Sequence, residues 1–302
     1  MVRLGIDLGG TKIEIVAINP MGDVLLRTRV ATPQGDYLAT LQAIAGLVEQ
    51  AQNQLALSYK PSIGVGIPGA ISAKTGRVKN ANSIWLIGED LKGDLENLLL
   101  RPICIANDAN CFALAEASQG AAFGAKSVFG VIIGTGCGGG LVFNGEIVEG
   151  ANGIAGEWGH NPLPWNSQYM SNQACYCGKQ DCIETFLSGP GLAKRFKEVT
   201  ARHLTAQQIV EQMRQADQQA IDIMNAYYDW LAKGLASVIN VFDPEVVVLG
   251  GGLSQIHELY DEVPKRWSKW VFSDEVVTQL KAPLLGDSAG VIGAAWLWSS
   301  EG

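Results

Sequence analysis

Three of the six cysteines of the chain lie within eight positions, in the segment CYCGKQDCIE that begins at Cys175. Three neighbouring thiols cannot all pair with one another in disulfides, whereas the spacing C-x-C-x4-C can supply three corners of a tetrahedral metal site. Of the three histidines, His160 is the nearest to this cluster in sequence and is the candidate fourth ligand. A structural zinc site formed by His160, Cys175, Cys177 and Cys182 is therefore predicted. Three reduced cysteines without a metal are the alternative.

A glycine turn near the start of the chain has the composition of an anion-binding site. The segment DLGGTK falls between two stretches of strand composition. Gly9 and Gly10 allow backbone N–H groups to approach a phosphate closely. Thr11 and Lys12 add a hydroxyl group and a positive charge, and Asp7 is placed to hold Mg²⁺ through water. An ordinary hairpin turn is the alternative interpretation.

A second glycine turn favours the phosphate interpretation. The segment GTGCGGG, which begins with Gly134, Thr135 and Gly136, has five glycines in seven positions, more than a hairpin needs. The segment also satisfies G-x-G-x-x-G, but strand composition follows it instead of the helix that a dinucleotide-binding turn requires. Two such turns at matching places predict a pair of loops that bind one polyphosphate.

A third glycine cluster follows the apolar stretch VVVL. Gly250, Gly251 and Gly252 stand at the carboxyl end of this predicted strand, where a flat ligand such as adenine can lie against the backbone. A plain strand-to-helix turn explains the same residues equally well.

The segment NDAN contains the candidate catalytic carboxylate. It follows the short strand ICIA and precedes a helical pattern. Asp108 at the end of a strand is well placed to take a proton from a hydroxyl nucleophile. A helix N-cap is the other role that this position suggests, and both roles can hold together.

Composition limits the class of partner. The chain of 302 residues has 30 acidic and 22 basic residues and a net charge of −8, and no basic run stands out, which argues against nucleic acid and favours a small polar substrate. The first residues have no signal-peptide pattern, and the uncharged run at residues 127–145 is too rich in glycine for a membrane span. A cytoplasmic protein is therefore expected.

The order of the predicted elements indicates a duplication. The opening RLGIDLGGTKIEIVAI, with VLLRTRV, predicts three antiparallel strands, and SVFGVIIGTGCGGGLVFNGEIVEG repeats that plan. Each unit is followed by helix and strand patterns, including the predicted strand SIGVGIPGAIS. The fold class is therefore α/β, with two lobes facing each other across a cleft. The predicted bounds are 1–120 for the small lobe, joined by a C-terminal helix at 289–302, and 121–288 for the large lobe with the zinc site.

Six segments between residues 5 and 252 resemble the motifs of the ROK family of sugar kinases and repressors. They are DLGGTK, NDAN, GTGCGGG, GEWGH, CYCGKQDCIE and VVLGGG. The resemblance implies the duplicated actin-like (ribonuclease H-like) ATPase fold, with ATP and Mg²⁺ as cofactors and zinc as a structural ion. It implies that Asp108 is the general base. It also implies that one ring nitrogen of His160 binds zinc while the other meets the sugar. The residues expected to bind sugar hydroxyls are Asn82, Asn107, Glu157, His160 and Glu184.

The acceptor sugar is predicted from local resemblance. PGAIS at 68–72 and KNANSIWL at 79–86 look most like bacterial ROK fructokinases, which implies that D-fructose is phosphorylated at its 6-hydroxyl. An N-acetylglucosamine or N-acetylmannosamine kinase, or a glucokinase of the same family, is the alternative. A sugar-sensing ROK regulator is disfavoured because strand composition begins at residue 2, without a preceding helix-turn-helix pattern. Since ROK relatives commonly dimerise, a homodimer is expected.

Overall fold

The computed structural model describes residues 1–165 and 172–298. The chain forms two compact units: unit 1 is Met1–Gly124, Gly140–Ala155 and Leu284–Gly302, and unit 2 is Ala125–Gly139 and Gly156–Pro283. Residues 140–155 thus group with unit 1, although the predicted large lobe contains them. The last four residues of the predicted C-terminal helix, 299–302, lie outside the described residues.

Residues 1–119 contain seven strands and three α-helices. They are β1 (Arg3–Leu8), β2 (Lys12–Ile18), β3 (Val24–Ala31), α1 (Tyr37–Gln54), β4 (Ser62–Ile67), β5 (Ala70–Ile71), β6 (Val78–Lys79), α2 (Leu91–Leu99), β7 (Ile103–Asn107) and α3 (Asp108–Gln119). Five of the strands form a sheet in the order β3-β2-β1-β4-β7. β1 pairs antiparallel with β2, and β2 with β3, while β1, β4 and β7 run parallel.

The remaining elements include the second sheet. They are β8 (Ser127–Ile133), β9 (Cys137–Phe143), β10 (Glu146–Ile147), α4 (Glu184–Leu187), α5 (Gly189–Thr200), α6 (Ala206–Arg214), α7 (Gln218–Phe242), β11 (Val246–Gly250), α8 (Glu258–Glu262), α9 (Pro264–Trp267), β12 (Gln279–Lys281) and α10 (Ala289–Ala295). The sheet order is β10-β9-β8-β11-β12, with β8, β11 and β12 parallel. Each sheet therefore places a three-strand meander beside two parallel strands, and this repeat confirms the predicted duplication.

The predicted strand SIGVGIPGAIS is interrupted in the structure. β4 ends at Ile67, and the pair Ala70–Ile71 forms a separate ladder with Val78–Lys79. Proline has no backbone N–H to donate to a ladder, and the following Gly69 has φ +81°, a conformation that favours glycine. The Pro68-Gly69 pair thus ends the strand, and the prediction of one continuous strand is wrong.

The core of unit 1 lies between its sheet and the helices packed on it. Isoleucine, leucine and valine side chains of β1, β2 and β4 are fully buried together with those of α1 and α2. α10 packs against β1, β4 and α3, and a Cβ at Gly5 or Gly64 would collide with its backbone. Glycine at these two strand positions therefore permits the close approach of α10. Among the described residues, no helix has both the length and the apolarity needed to cross a bilayer.

Candidate functional site

The turn between β1 and β2 presents its backbone donors outward. The carbonyl oxygens of residues 9–11 accept hydrogen bonds from the Thr32 hydroxyl (2.7 Å), the Gln34 amide (2.8 Å) and the Thr32 N–H (3.0 Å). The N–H groups of Gly10 and Thr11 have no hydrogen-bond partner within the described residues. A turn whose acceptors are occupied and whose donors are not is suited to an oxyanion.

The ammonium group of Lys12 is shared with a carboxylate that sequence reasoning missed. Lys12 Nζ lies 3.4 Å from an oxygen of Glu14, and Arg27 also donates a hydrogen bond to Glu14. Burial alone would raise the pKa of Glu14, but the bonds to Arg27 and Lys12 hold it below its ordinary value. A hint was present in the sequence, since Lys12 and Glu14 are two residues apart in β2 and therefore lie on the same face of the strand.

Asp7 and Asp108 are close enough to affect each other's charge. Asp7 is the penultimate residue of β1, and Asp108 is the first residue of α3. Burial, and then the charges of Asp108 and Glu14, raise the pKa of Asp7 to about 6, although Lys12 acts in the opposite direction. Paired carboxylate oxygens are the donors that Mg²⁺ prefers, and a bound cation would relieve their repulsion. The donor set therefore fits magnesium.

Asn107, and not Asp108, is the N-cap of α3. The Asn107 side-chain oxygen accepts a hydrogen bond from the Ala109 N–H (2.8 Å), and its amide donates to the Gly69 carbonyl (2.9 Å). Asp108 is the first residue of the helix, and its Oδ1 accepts a hydrogen bond from the same N–H at 2.8 Å. The N-cap interpretation of Asp108 is therefore wrong, and one reason to doubt a catalytic role is removed.

The predicted sugar contact at Asn82 lies in an exposed position of unit 1. It is followed by a 3₁₀ turn at Ile84–Leu86. Trp85 in this turn is half-buried and packs on the hydrophobic core of unit 1. This packing gives Trp85 a role in the core of unit 1.

The second glycine turn is held by a carboxylate of unit 2. Glu184 Oε2 accepts a hydrogen bond from the Cys137 N–H at 2.9 Å, and a Cβ at Gly136 would lie 2.6 Å from this oxygen. The turn is closed by a bond from Gly134 N–H to Gly136 O (3.0 Å), and Gly189 N–H donates to Gly134 O (2.8 Å). Glu184, predicted only as a sugar contact, therefore also fixes the backbone of this turn.

Unit 2 contains a cavity of about 900 Å³ beside this turn. This volume is in the range of small-molecule sites. The lining includes Gly134, Thr135, Gly189, Pro190, Glu211 and Gly252.

The third glycine cluster contributes to this cavity only through its last member. Gly252 lines the cavity, whereas Gly250 belongs to β11 and pairs with Ile132. Gly251 has φ +80°, and an added Cβ would lie 2.5 Å from the Ile133 carbonyl. The structure therefore gives Gly251 a conformational reason to be glycine, at the strand-to-helix turn itself.

The predicted metal ligands come together in unit 2. One ligand atom from each of His160, Cys175, Cys177 and Cys182 lies within 4.8 Å of the others. The Cys175 sulfur is 3.6 Å from His160 Nδ1, and the Cys177 and Cys182 sulfurs are 3.6 Å apart. Tetrahedral zinc with Zn–S of about 2.3 Å and Zn–N of about 2.0 Å would set these separations at about 3.5 and 3.8 Å. The donor set and spacing thus fit zinc.

The other ring nitrogen of His160 already has a partner. His160 Nε2 lies 3.0 Å from the hydroxyl of Tyr176, whose ring packs edge-on against the imidazole at 5.1 Å. The expectation that this nitrogen is free for the sugar is therefore not met in this conformation, and sequence reasoning missed the role of Tyr176. Glu157 is exposed at the start of the 3₁₀ turn Trp158–His160.

The repeated sheet order defines a protein of the actin-like ATPase fold. The chain belongs to the ROK family, whose match covers residues 3–301, and it is a sugar kinase of that family. Both the predicted family and the predicted fold class are confirmed.

Three relatives illustrate the similarity. The chain is 39% identical to an N-acetyl-D-glucosamine kinase of Photobacterium profundum, over 97% of this chain and 98% of that protein. It is similar to the crystal structure of the ROK hexokinase of Thermus thermophilus, with a TM-score of 0.87 and 30% identity over 98% of this chain and 97% of that chain. A ROK family glucokinase of Streptomyces griseus, crystallised with glucose and AMPPNP, has a TM-score of 0.76 and 30% identity over 100% of both chains.

Proposed function

We propose that this chain transfers the γ-phosphoryl group of ATP to the 6-hydroxyl of a hexose or an N-acetylhexosamine. The observation that carries the proposal is in unit 1: the N–H groups of Gly10 and Thr11, which have no partner in the part of the chain that the structure describes, lie just after β1, and the charge of Asp108 raises the pKa of Asp7 on that strand. Phosphoryl transfer depends mainly on positioning and on charge neutralisation. A donor-rich turn next to two carboxylates supplies the groups for both.

Each group of unit 1 has a distinct role in this proposal. Asp108 accepts the proton of the attacking hydroxyl, and Asn107, fixed by Gly69 and by the helix cap, keeps Asp108 at the first position of α3. The N–H groups of Gly10 and Thr11 bind phosphate oxygens. Magnesium, which Asp7 would hold through water, supplies the positive charge that neutralises the polyphosphate.

The cavity of unit 2 is the proposed nucleotide site. Its volume of about 900 Å³ accommodates an adenosine group, and two glycine-rich segments reach its lining at Gly134 and Gly252. We propose that Gly134, Thr135 and Gly136 bind the phosphates and that the turn at Gly250–Gly252 lies against the base. Glu184 supports this role because it fixes the backbone of the phosphate-binding turn.

We propose that His160, Cys175, Cys177 and Cys182 hold one structural zinc ion. Burial and the neighbouring thiols of Cys177 and Cys175 raise the pKa of Cys182 to about 12, so these thiols resist becoming thiolates together unless a cation is present. The cluster fixes the His160 ring and the segment that leads to Glu184. Elemental analysis of the purified protein should give about one zinc per chain, and a protein without zinc would contradict this assignment.

The acceptor sugar has two candidates. N-acetyl-D-glucosamine is the first, because a relative that is 39% identical over nearly the whole chain is an N-acetyl-D-glucosamine kinase. This finding favours the alternative of the sequence analysis over its preferred sugar. D-fructose is the second candidate, and the resemblance of residues 68–72 and 79–86 to fructokinases supports it. Both segments lie in unit 1, close in sequence to Asn82.

A substrate panel tests the proposal. The ratio kcat/KM is measured with ATP and Mg²⁺ for N-acetyl-D-glucosamine, D-fructose, mannose, glucose and N-acetylmannosamine. A tenfold preference, equal to about 1.4 kcal/mol in the barrier, decides between the two candidates. Phosphorylation of none of these sugars would refute the kinase proposal, whereas a preference for glucose would refute both candidate acceptors and leave the kinase proposal standing.

We also propose a homodimer. A dimer would have twice the chain mass of 32.2 kDa. Light scattering on the purified protein measures this mass directly, and a monomer at micromolar concentration would contradict the proposal.

A further inference from the structure

Glu116 is a fully buried carboxylate near the end of α3. Its relative exposure is 0%, and within the described residues it forms no ion pair with a basic side chain. Its partners are instead three backbone N–H groups. Oε2 accepts hydrogen bonds from Ala121 (2.7 Å) and Leu284 (3.1 Å), and Oε1 accepts one from Leu285 (3.0 Å). A buried charge is costly unless it is satisfied in this way, so the arrangement calls for a role that an apolar residue could not fill.

The chain passes between its units at four places, and the three donors lie next to two of them. The chain first leaves unit 1 after Gly124, and it enters unit 1 for the last time at Leu284. Ala121 is in the outgoing segment, and Leu284 and Leu285 begin the returning one. A single carboxylate therefore joins two stretches of backbone that are more than 160 residues apart in sequence.

The surrounding backbone is shaped around this carboxylate. The main-chain oxygen of Glu116 also accepts hydrogen bonds from the Gly120 N–H (3.2 Å) and the Ala122 N–H (3.0 Å). A Cβ at Gly120 would overlap Glu116 Oε2, so only glycine leaves room for the side chain there. The outgoing segment is thus bound by both the side chain and the main chain of Glu116.

The returning segment leads to α10, which borders Asp7 next to the turn between β1 and β2. Leu285 precedes a 3₁₀ turn at Gly286–Ser288 and then α10, in which Gly290 faces Asp7. A Cβ at Gly290 would lie 3.6 Å from Asp7 Oδ2. A change in the position of residues 284–285 would therefore move the backbone that borders this carboxylate.

We propose that Glu116 is a positioning residue that holds two of the four connecting segments together and thereby couples acceptor binding to nucleotide binding. The inference rests on the proposed function, because that function assigns Asp108 to unit 1 and the nucleotide cavity to unit 2. Two ligands held by different units influence each other's affinity through the chain segments that link the units. Ala121, Leu284 and Leu285 lie at the unit 1 ends of two such links, and Glu116 fixes these ends relative to each other.

The test compares Glu116→Gln with Glu96→Gln in the full-length protein. Glutamine has one acceptor oxygen, so the variant loses at least one of the three bonds at Glu116. Glu96 is a matched control, because its carboxylate also accepts a backbone bond, from Ile103 N–H at 3.1 Å, and lies away from the connecting segments. The dissociation constant of AMPPNP is measured by calorimetry with and without the saturating acceptor sugar identified by the panel.

The expected result is a loss of coupling. The ratio of AMPPNP dissociation constants without and with sugar should fall at least threefold in Glu116→Gln and stay within a factor of two of wild type in Glu96→Gln. Hydrogen exchange at residues 120–124 and 284–286 should become at least tenfold faster in Glu116→Gln. An unchanged coupling ratio in a folded variant, or a wild-type ratio of one, would overturn the proposal.

A measurement on the wild-type protein keeps the proposal testable if the variant does not fold. One carboxylate holds the amides of Ala121, Leu284 and Leu285, so these three should open together and have similar protection factors. Protection factors that differ by more than tenfold would overturn the inference. This readout does not depend on catalysis, so a failure of the proposed kinase function, seen as a lack of phosphorylation by the wild type, is distinguishable from a failure of this inference.

Discussion

Replacing Asp7 by asparagine should make the free protein more stable. The pKa of Asp7 is raised from 3.8 to about 6, by burial first and then by Asp108 and Glu14. At pH 7.5 the carboxylate is ionised in both the folded and the unfolded chain, but its charge is unfavourable in the folded one. The difference in pKa, at about 1.4 kcal/mol per pKa unit, corresponds to about 3 kcal/mol.

The sign of the effect with pH follows from the raised pKa. The contribution of Asp7 to stability is present below its unfolded pKa and is lost as the pH rises through the folded value. The advantage of Asp7→Asn should therefore be about 3 kcal/mol at pH 7.5 and fall to about 1 kcal/mol at pH 4.5. Urea denaturation in EDTA measures the free energy of unfolding of both proteins at the two pH values.

A neighbouring carboxylate provides a control of opposite sign. Bonds to Arg27 and Lys12 hold the pKa of Glu14 below its ordinary value, so Glu14→Gln should lower stability at pH 7.5. Magnesium should reduce the difference in free energy of unfolding between wild type and Asp7→Asn, because a bound cation compensates the charge of the wild-type site. The reasoning is refuted if Asp7→Asn is equal to or less stable than wild type at pH 7.5, or if its advantage grows as the pH falls.

Three further perturbations address the two proposed sites. Asp108→Asn should remove most of kcat while the sugar dissociation constant changes little, and a variant that keeps more than about a tenth of wild-type kcat would argue against a general base. Cys177→Ala should lose zinc and weaken sugar binding, and metal loss with normal catalysis would exclude an orienting role. Gly136→Ala should raise the KM for ATP about tenfold, because the added Cβ would lie 2.6 Å from Glu184 Oε2 and would displace this carboxylate from the turn. Gly46→Ala, in α1 with no heavy atom within 4 Å of the added Cβ, is the control and should leave kinetics unchanged, while an equal rise in KM would refute the steric argument.

The sequence by itself determined the features that depend on short stretches of chain. Glycine turns between apolar strands predicted where the backbone reverses, because only a few residue types adopt these conformations. The repeated strand pattern predicted the duplicated sheets, since the spacing of apolar residues along the sequence indicates which side chains of a strand are buried. The spacing C-x-C-x4-C predicted the cluster of Cys175, Cys177 and Cys182, because a local loop brings such thiols together, and His160 was added by elimination among three histidines.

Only the tertiary structure decided which distant groups share a hydrogen bond. Asn107 became the N-cap because Gly69 is positioned to accept its amide, and Glu184 reached the glycine turn across 47 residues of sequence. The sequence around Glu116 does not distinguish it from other helix residues, and only the fold shows that its carboxylate accepts hydrogen bonds from Leu284 and Leu285. Sequence pattern reports what each residue prefers locally, whereas partners separated by long stretches of chain are set by how the sheets and helices pack, and a buried polar group takes whichever partner that packing provides.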